Sequence, residues 1–252
     1  MKKYLLLIFF LIFMPSVFAN GLSTLNTNRI TTLEDGILTV AVTGICKDNS
    51  PHHNCWVYKI FSTFAEKNNL SLVLKKVEFD KSWQLADADK VDVVATGITP
   101  FADRNLGQAS YGNIYSIVKR GIRIKRENVN KFKVIADFSG QSLAAVKGMT
   151  SEKDLRNRAT EDITVITPNT WEELYALFHE DKVAGIAEGF YVFSGDEEDI
   201  NSDDSSLIVD IHDLQSGELE GNRFVVRNAS TNLLDSLNEH IESLGLPNHR
   251  PQ

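Results

Sequence analysis

The chain predicts an α/β fold built from two βαβαβ units. Two observations carry this. Short apolar runs of strand length alternate with stretches of helical periodicity, and a glycine turn follows the last strand of the first unit. That order implies parallel-rich sheets flanked by helices, because parallel neighbours need a crossover that lies on a sheet face.

In the first unit, residues 38–43 read as a strand, and Trp56, Ile60, Phe64 and Ala65 form a helical stripe. Residues 70–77 read as a strand, 81–88 as a short helix and 91–95 as a strand. A basic, polar connection spans 119–133. The second unit has strands at 142–146, 163–166 and 183–187, the last ending in Glu188-Gly189. Between them lie a helix beginning at Glu152 after the turn 148–151, and a helix marked by Trp171, Leu174, Tyr175 and Phe178. A strand at 224–226 and a closing helix lined by Leu234, Leu237, Ile241 and Leu244 follow, with a loose tail at 247–252. The two units share an order of elements but no close sequence repeat.

The chain starts with Lys2 and Lys3, an apolar run at 4–14, and small residues at 17 and 19. That is the pattern of a cleavable secretory signal peptide over 1–19, with a mature start near Asn20. The run is too short to favour a spanning helix, and no cysteine follows the cut to carry a lipid. The net charge is −8, and removing Lys2 and Lys3 makes it about −10. An acidic exported product argues against nucleic-acid binding. The remaining length can bury a good core as one large domain or two small lobes.

There are two cysteines, Cys46 and Cys55. Export favours a disulfide between them. The alternative, a metal site with His52 and His53, has a spacing that fits no common zinc pattern. The acidic stretch 195–206 reads as a solvated loop rather than a calcium loop, because it lacks spaced ligands around a central glycine.

Three strand ends carry polar groups, and open α/β sheets bind ligands at such ends. In V-D-V-V-A-T-G-I-T-P-F-A-D-R (91–104), a strand runs into Thr96-Gly97. Thr99 sits where a helix N-cap belongs, Pro100 fits the first helical position, and Arg104 lies one turn in. From this segment alone they make either a small carboxylate receptor or an ordinary strand–turn–helix with a surface arginine. The second end is Gly148, Met149, Thr150 and Ser151. The third is Glu188, an acid suited to an ammonium group.

The segments 91–104, G-Q-S-L-A-A-V-K-G-M-T-S-E (140–152), W-E-E-L-Y-A-L-F with K-V-A-G-I-A-E (171–188), and R-F-V-V-R-N with L-L-D-S-L-N (223–238) carry a resemblance. In order and spacing the chain resembles the family 3 extracellular solute-binding proteins, the polar amino-acid receptors of ABC importers. The resemblance implies a two-lobed periplasmic-binding-protein fold (type II) with a hinged cleft. Lobe one would take 30–116 plus 223–252, and lobe two 117–222. It implies a periplasmic monomer that captures a polar or cationic amino acid and presents it to a membrane permease, without catalysis, cofactor or metal. Arg104 would bind the ligand α-carboxylate with Thr99, Gly97 and Thr150, and Glu188 the α-ammonium. Phe79, with Trp83 as its rival, would pack on the ligand side chain.

Two departures leave the side-chain pocket unread. The Cys46–Cys55 loop replaces the family's proline- and glycine-containing first loop, and Ser110-Tyr111-Gly112 lacks the family's proline. His52 and His53 read as loop residues. Two other functions fit the same scaffold: an arogenate/prephenate dehydratase-like enzyme using Glu188 as general acid, and a ligand sensor without transport.

Overall fold

The structure is a computed structural model that describes residues 29–46, 53–192, 205–213 and 220–247. The expectations for the signal peptide, for His52, for 195–204 and for the tail beyond 247 lie outside the described residues. In chain order the elements are β1 (Ile37–Val42), α1 (His53–Lys67), β2 (Ser71–Lys76), β3 (Val93–Ile98), β4 (Ser110–Lys125), β5 (Ser142–Ala144), α2 (Thr150–Arg158), β6 (Thr164–Ile166), α3 (Trp171–His179), β7 (Gly185–Val192), β8 (Ser206–His212), β9 (Glu220–Val226) and α4 (Leu233–Ser243). A disulfide joins Cys46 to Cys55. No helix among the described residues is long and apolar enough to cross a membrane.

The strands lie in the order β2-β1-β3-β9-β4-β7-β5-β6, with β8 also paired to β4. β1 is parallel to β2 and β3, and β5 is parallel to β6 and β7. Both βαβαβ units are therefore present. They are joined by antiparallel pairing: β4 lies against β9 through its first half and against β7 and β8 through its second. β9 in turn lies antiparallel to β3.

The stretch 119–133 is the main local correction to the sequence reading. It is not a polar connection; its first part is the second half of β4. Arg120, Arg123 and Lys125 disguise an alternating strand, and each is neutralised by an acid: Glu220, Glu188 and Asp181. Within 81–88 the expected helix reduces to a 3₁₀ turn at Ser82–Gln84, entered through Lys81 in the left-handed region.

Four apolar clusters hold the structure. Trp56, Ile60, Phe61 and Phe64 of α1 and Leu233, Leu237 and Ile241 of α4 pack on Val40, Val93 and Phe224. The spacing of three to four residues puts each set on one helix face. The opposite face of those strands is covered by Phe79, Trp83 and Ala86. In the second unit, Leu155 of α2 packs with Phe132, Phe138, Leu143 and Ala187 on one face. Leu174 and Phe178 of α3 cover Ala144, Val146 and Ile186 on the other.

α1 stops at Lys67 because the chain turns there. The Asn68 amide donates back to the Phe64 carbonyl, and Asn69 takes a positive φ, which Asn tolerates better than most residues.

Candidate functional site

β3 delivers its polar groups at its carboxyl end. Gly97, at φ 79°, lies where the β3–β9 ladder loses its regular register. A side chain would disfavour that backbone conformation, so glycine permits the register shift after which Ile98 pairs again with Arg223 and Thr99 leaves the strand. No helix follows, contrary to the sequence reading. Residues 99–109 form turns instead, with the Arg104 amide donating to the Phe101 carbonyl at 3.0 Å. The run is too short to nucleate a helix before Asn105, whose side chain accepts from the Gly107 amide, and Gly107 has a positive φ.

Arg104 nonetheless reaches the place expected of it. Its Nη1 donates to the Thr99 carbonyl at 2.7 Å. Its Nη2 lies 3.4 Å from both the Gly148 carbonyl and the Thr150 hydroxyl. Thr150 is the first residue of α2 and its Oγ1 lies 3.4 Å from that of Thr99. Gly148, at φ 77°, lets this turn approach Asp80: a Cβ there would sit 3.0 Å from the Asp80 carboxylate. Thr99, Arg104, Gly148 and Thr150 are thus brought together from separate ends of the two units.

The guanidinium is only 7% exposed as a residue. It lies 5.3, 5.1 and 5.0 Å from the ring centres of Phe79, Trp83 and Phe101. Phe79 and Trp83 therefore both flank Arg104. Among the described residues no carboxylate lies within ion-pair distance of Arg104. Burial pulls its pKa down to about 10 from the usual 12.5, against the attraction of Tyr111 and Glu220 and with added repulsion from Arg120. A desolvated cation surrounded by neutral oxygens and π faces is a receptor for an anion.

Glu188 stands elsewhere. β7 does not end at Ala187 but runs to Val192, so Glu188 is interior to the strand rather than at its end. Alternate residues of a strand face opposite ways. Ala187 packs on the α2 side, whereas Ile186 packs against α3. Glu188 shares the α3 side: the Tyr175 hydroxyl donates to it at 2.6 Å and Arg123 Nε at 3.0 Å. Burial and the Glu188 charge push the Tyr175 hydroxyl far above its ordinary range.

Three site residues escaped the sequence reading: Arg120, Glu220 and Asn222. Arg120 of β4 donates to Glu220 of β9 through Nε at 2.7 Å and through Nη2. The Thr99 hydroxyl also donates to Glu220, and lies 3.2 Å from Asn222 Oδ1. The missed signal was the acid just before R-F-V-V-R, on a strand that returns beside 91–98. Two exposed ion pairs bridge the same walls, Lys76–Glu172 at 2.7 Å and Lys153–Asp103 at 3.1 Å.

Solved structures share this architecture. The chain is similar to a substrate-binding protein of an amino acid ABC transporter from Streptococcus pneumoniae bound to L-arginine. The TM-score is 0.67 and the identity 14%, over 83% of this chain and 89% of that one. It is similar to a periplasmic binding protein of Salmonella typhimurium described for high arginine specificity, with TM-score 0.66 and 14% identity over 84% and 94%. An ancestral arginine-binding protein bound to arginine gives TM-score 0.63 and 21% identity over 84% and 93%. No protein-family model matches the chain, and no curated protein matches it. At these identities the likeness defines a fold, and the fold is that of the periplasmic binding proteins.

Proposed function

We propose that this protein is a periplasmic solute-binding protein of the family 3 kind. It holds a polar amino acid between two lobes and presents it to the membrane permease of an ABC importer. Lobe one would comprise 30–116 and 223–252, and lobe two 117–222. The protein would act as a monomer, after removal of its signal peptide, and would bind without covalent chemistry.

One observation carries the reading. Arg104 is a buried guanidinium with no carboxylate partner among the described residues, flanked by Thr99 from one unit and Gly148 and Thr150 from the other. A ligand carboxylate supplies the missing charge and makes two parallel charge-assisted bonds. Solved structures of similar fold support this, since they hold arginine or glutamine.

Calorimetry with a panel of free amino acids tests it. Purification through an unfolding and refolding step first removes any ligand carried from the cell. At least one amino acid should bind with micromolar or tighter affinity. Arg104→Ala should weaken it at least 100-fold, about 2.7 kcal/mol. Arg104→Lys should recover only part of the loss, because the fork geometry is gone. Unchanged affinity in a folded Arg104→Ala protein would sink the carboxylate-receptor reading.

A further inference from the structure

Beside the Arg104 receptor lies a second charged pair that an amino-acid carboxylate alone leaves unexplained. Glu220 has no exposed side-chain surface and Arg120 has 8%. Burying two ions in an interior is expensive, and apolar residues of similar volume would join β4 to β9 at least as well. The pair also sits at the receptor rather than in a core. Thr99 links the two: its carbonyl accepts from Arg104 while its hydroxyl donates to Glu220. Arg104 and Glu220 are therefore bridged by a single residue, Thr99.

The pair is placed by three strands. Glu220 faces Val118 across the β9–β4 ladder, and Arg120 faces Gly189 across the β4–β7 ladder. A Cβ at position 189 would lie 2.8 Å from Arg120 Nη1 and 2.6 Å from Val118. Glycine at 189 is what leaves room for the guanidinium. Within the described residues Arg120 spends Nε and Nη2 on Glu220, and Nη1 donates to nothing. On Glu220, Oε1 accepts from both Thr99 and Arg120, while Oε2 accepts only one bond and has a lone pair left.

We propose that this site selects an acidic α-amino acid, with Arg104 on the α-carboxylate, Glu220 on the α-ammonium and Arg120 on the side-chain carboxylate. The inference rests on the solute-binding reading above and narrows its ligand. Arg104, Arg120 and Glu220 sum to one positive charge, which a ligand of net charge −1 neutralises. A cationic amino acid would need a further acid. Glu188 is engaged by Arg123 and Tyr175 on the α3 side, and Asp103 and Glu172 are paired with Lys153 and Lys76. Asp80 is exposed, so water and salt screen it.

The test is competitive calorimetry on the refolded protein with L-glutamate, L-aspartate, L-glutamine, L-arginine and glutarate. One of the two acidic amino acids should bind at least 100-fold more tightly than L-glutamine and L-arginine. It should also bind at least tenfold more tightly than glutarate, which lacks the amine. Arg120→Met should erase the preference for the acid over its amide, and Glu220→Gln should erase the preference over glutarate. Should either single variant fail to fold, Arg120→Met/Glu220→Gln removes both charges together and should lose both preferences. Tighter binding of L-glutamine or L-arginine overturns the inference but leaves the solute-binding reading standing if Arg104→Ala still abolishes it. Glutarate binding as well as the amino acid removes Glu220 as the ammonium partner. Failure of every amino acid to bind overturns both.

Discussion

Arg104 is a residue whose cost to the fold is the counterpart of its use. Its guanidinium is charged in the folded and unfolded chain at neutral pH, but burial holds its folded pKa down at about 10. The unfolded chain therefore keeps a proton more firmly. The penalty is present throughout neutral pH and is relieved only as pH rises through about 10 toward 12.5. Replacing the charge with an apolar side chain of similar length should stabilise the ligand-free protein. Arg104→Met is expected to raise the unfolding temperature by a few degrees, about 1 kcal/mol, while abolishing binding. Differential scanning calorimetry without ligand checks this. A fall of the size seen for an ordinary core truncation would mean that Arg104 holds the fold rather than a ligand.

At the scale of elements, α2 matters because its first residue, Thr150, faces Arg104. Its far end is tied to β8. His212 Nε2 lies 3.0 Å from both Asp154 carboxylate oxygens, and Arg158 pairs with Asp210 and lies 3.6 Å from Asp154. The hydrogen bond to Asp154 raises the His212 pKa above 6.5, against partial burial. A raised folded value means the stabilisation is full below pH 6.5 and is lost as pH rises through the folded value. His212→Gln should therefore destabilise the protein by about 1 kcal/mol near pH 5.5 and by less near pH 8.5, measured by urea unfolding at both. Equal losses at the two pH values would show that the histidine contributes packing alone.

The elements also show what a sequence can carry. Most strands and helices of both units were legible because short apolar runs alternate with helix-spaced apolar residues, although 81–88 yields only a 3₁₀ turn. β4 was not, because Lys119, Arg120, Arg123 and Lys125 read as a solvated connection until their partners Glu220, Glu188 and Asp181 are known, and those partners lie 56 to 100 residues away. Arg104, Thr99 and Thr150 were singled out from turn chemistry at strand ends, and the structure brings them together although the helix expected after Thr99 is absent. Glu188 illustrates the opposite case. A strand that runs on to Val192 sends residue 188 to the α3 face, and one position of parity decides which face an acid serves.

For the whole molecule, the main apolar clusters divide by unit, and Met149 alone among their members packs both on the Phe79–Trp83 cluster and on the α3 cluster. Those around α1 and α4 draw on residues up to 115 and from 224, and those around α2 and α3 draw on residues 122–209. What passes between the halves is the pair of strands β4 and β9, together with the polar contacts at Arg104 and the ion pairs Lys76–Glu172 and Lys153–Asp103. Both ion pairs are largely exposed, and exposed pairs are worth about 0–1 kcal/mol each. On the proposed two-lobed reading, contacts that weak leave the free energy of closure to the ligand, through its differential affinity for the closed form. Small-angle scattering should therefore show a larger radius of gyration in stripped protein than in protein saturated with its amino acid. At 100 times the dissociation constant, ligand should stabilise the fold by about 2.7 kcal/mol, raising the unfolding temperature by about 5–10 °C. Lys76→Ala/Lys153→Ala should change affinity by less than about fivefold, because it removes only screened surface pairs. An unchanged radius on saturation, with binding confirmed by calorimetry in the same sample, would show that β4 and β9 form a rigid sheet and not a hinge.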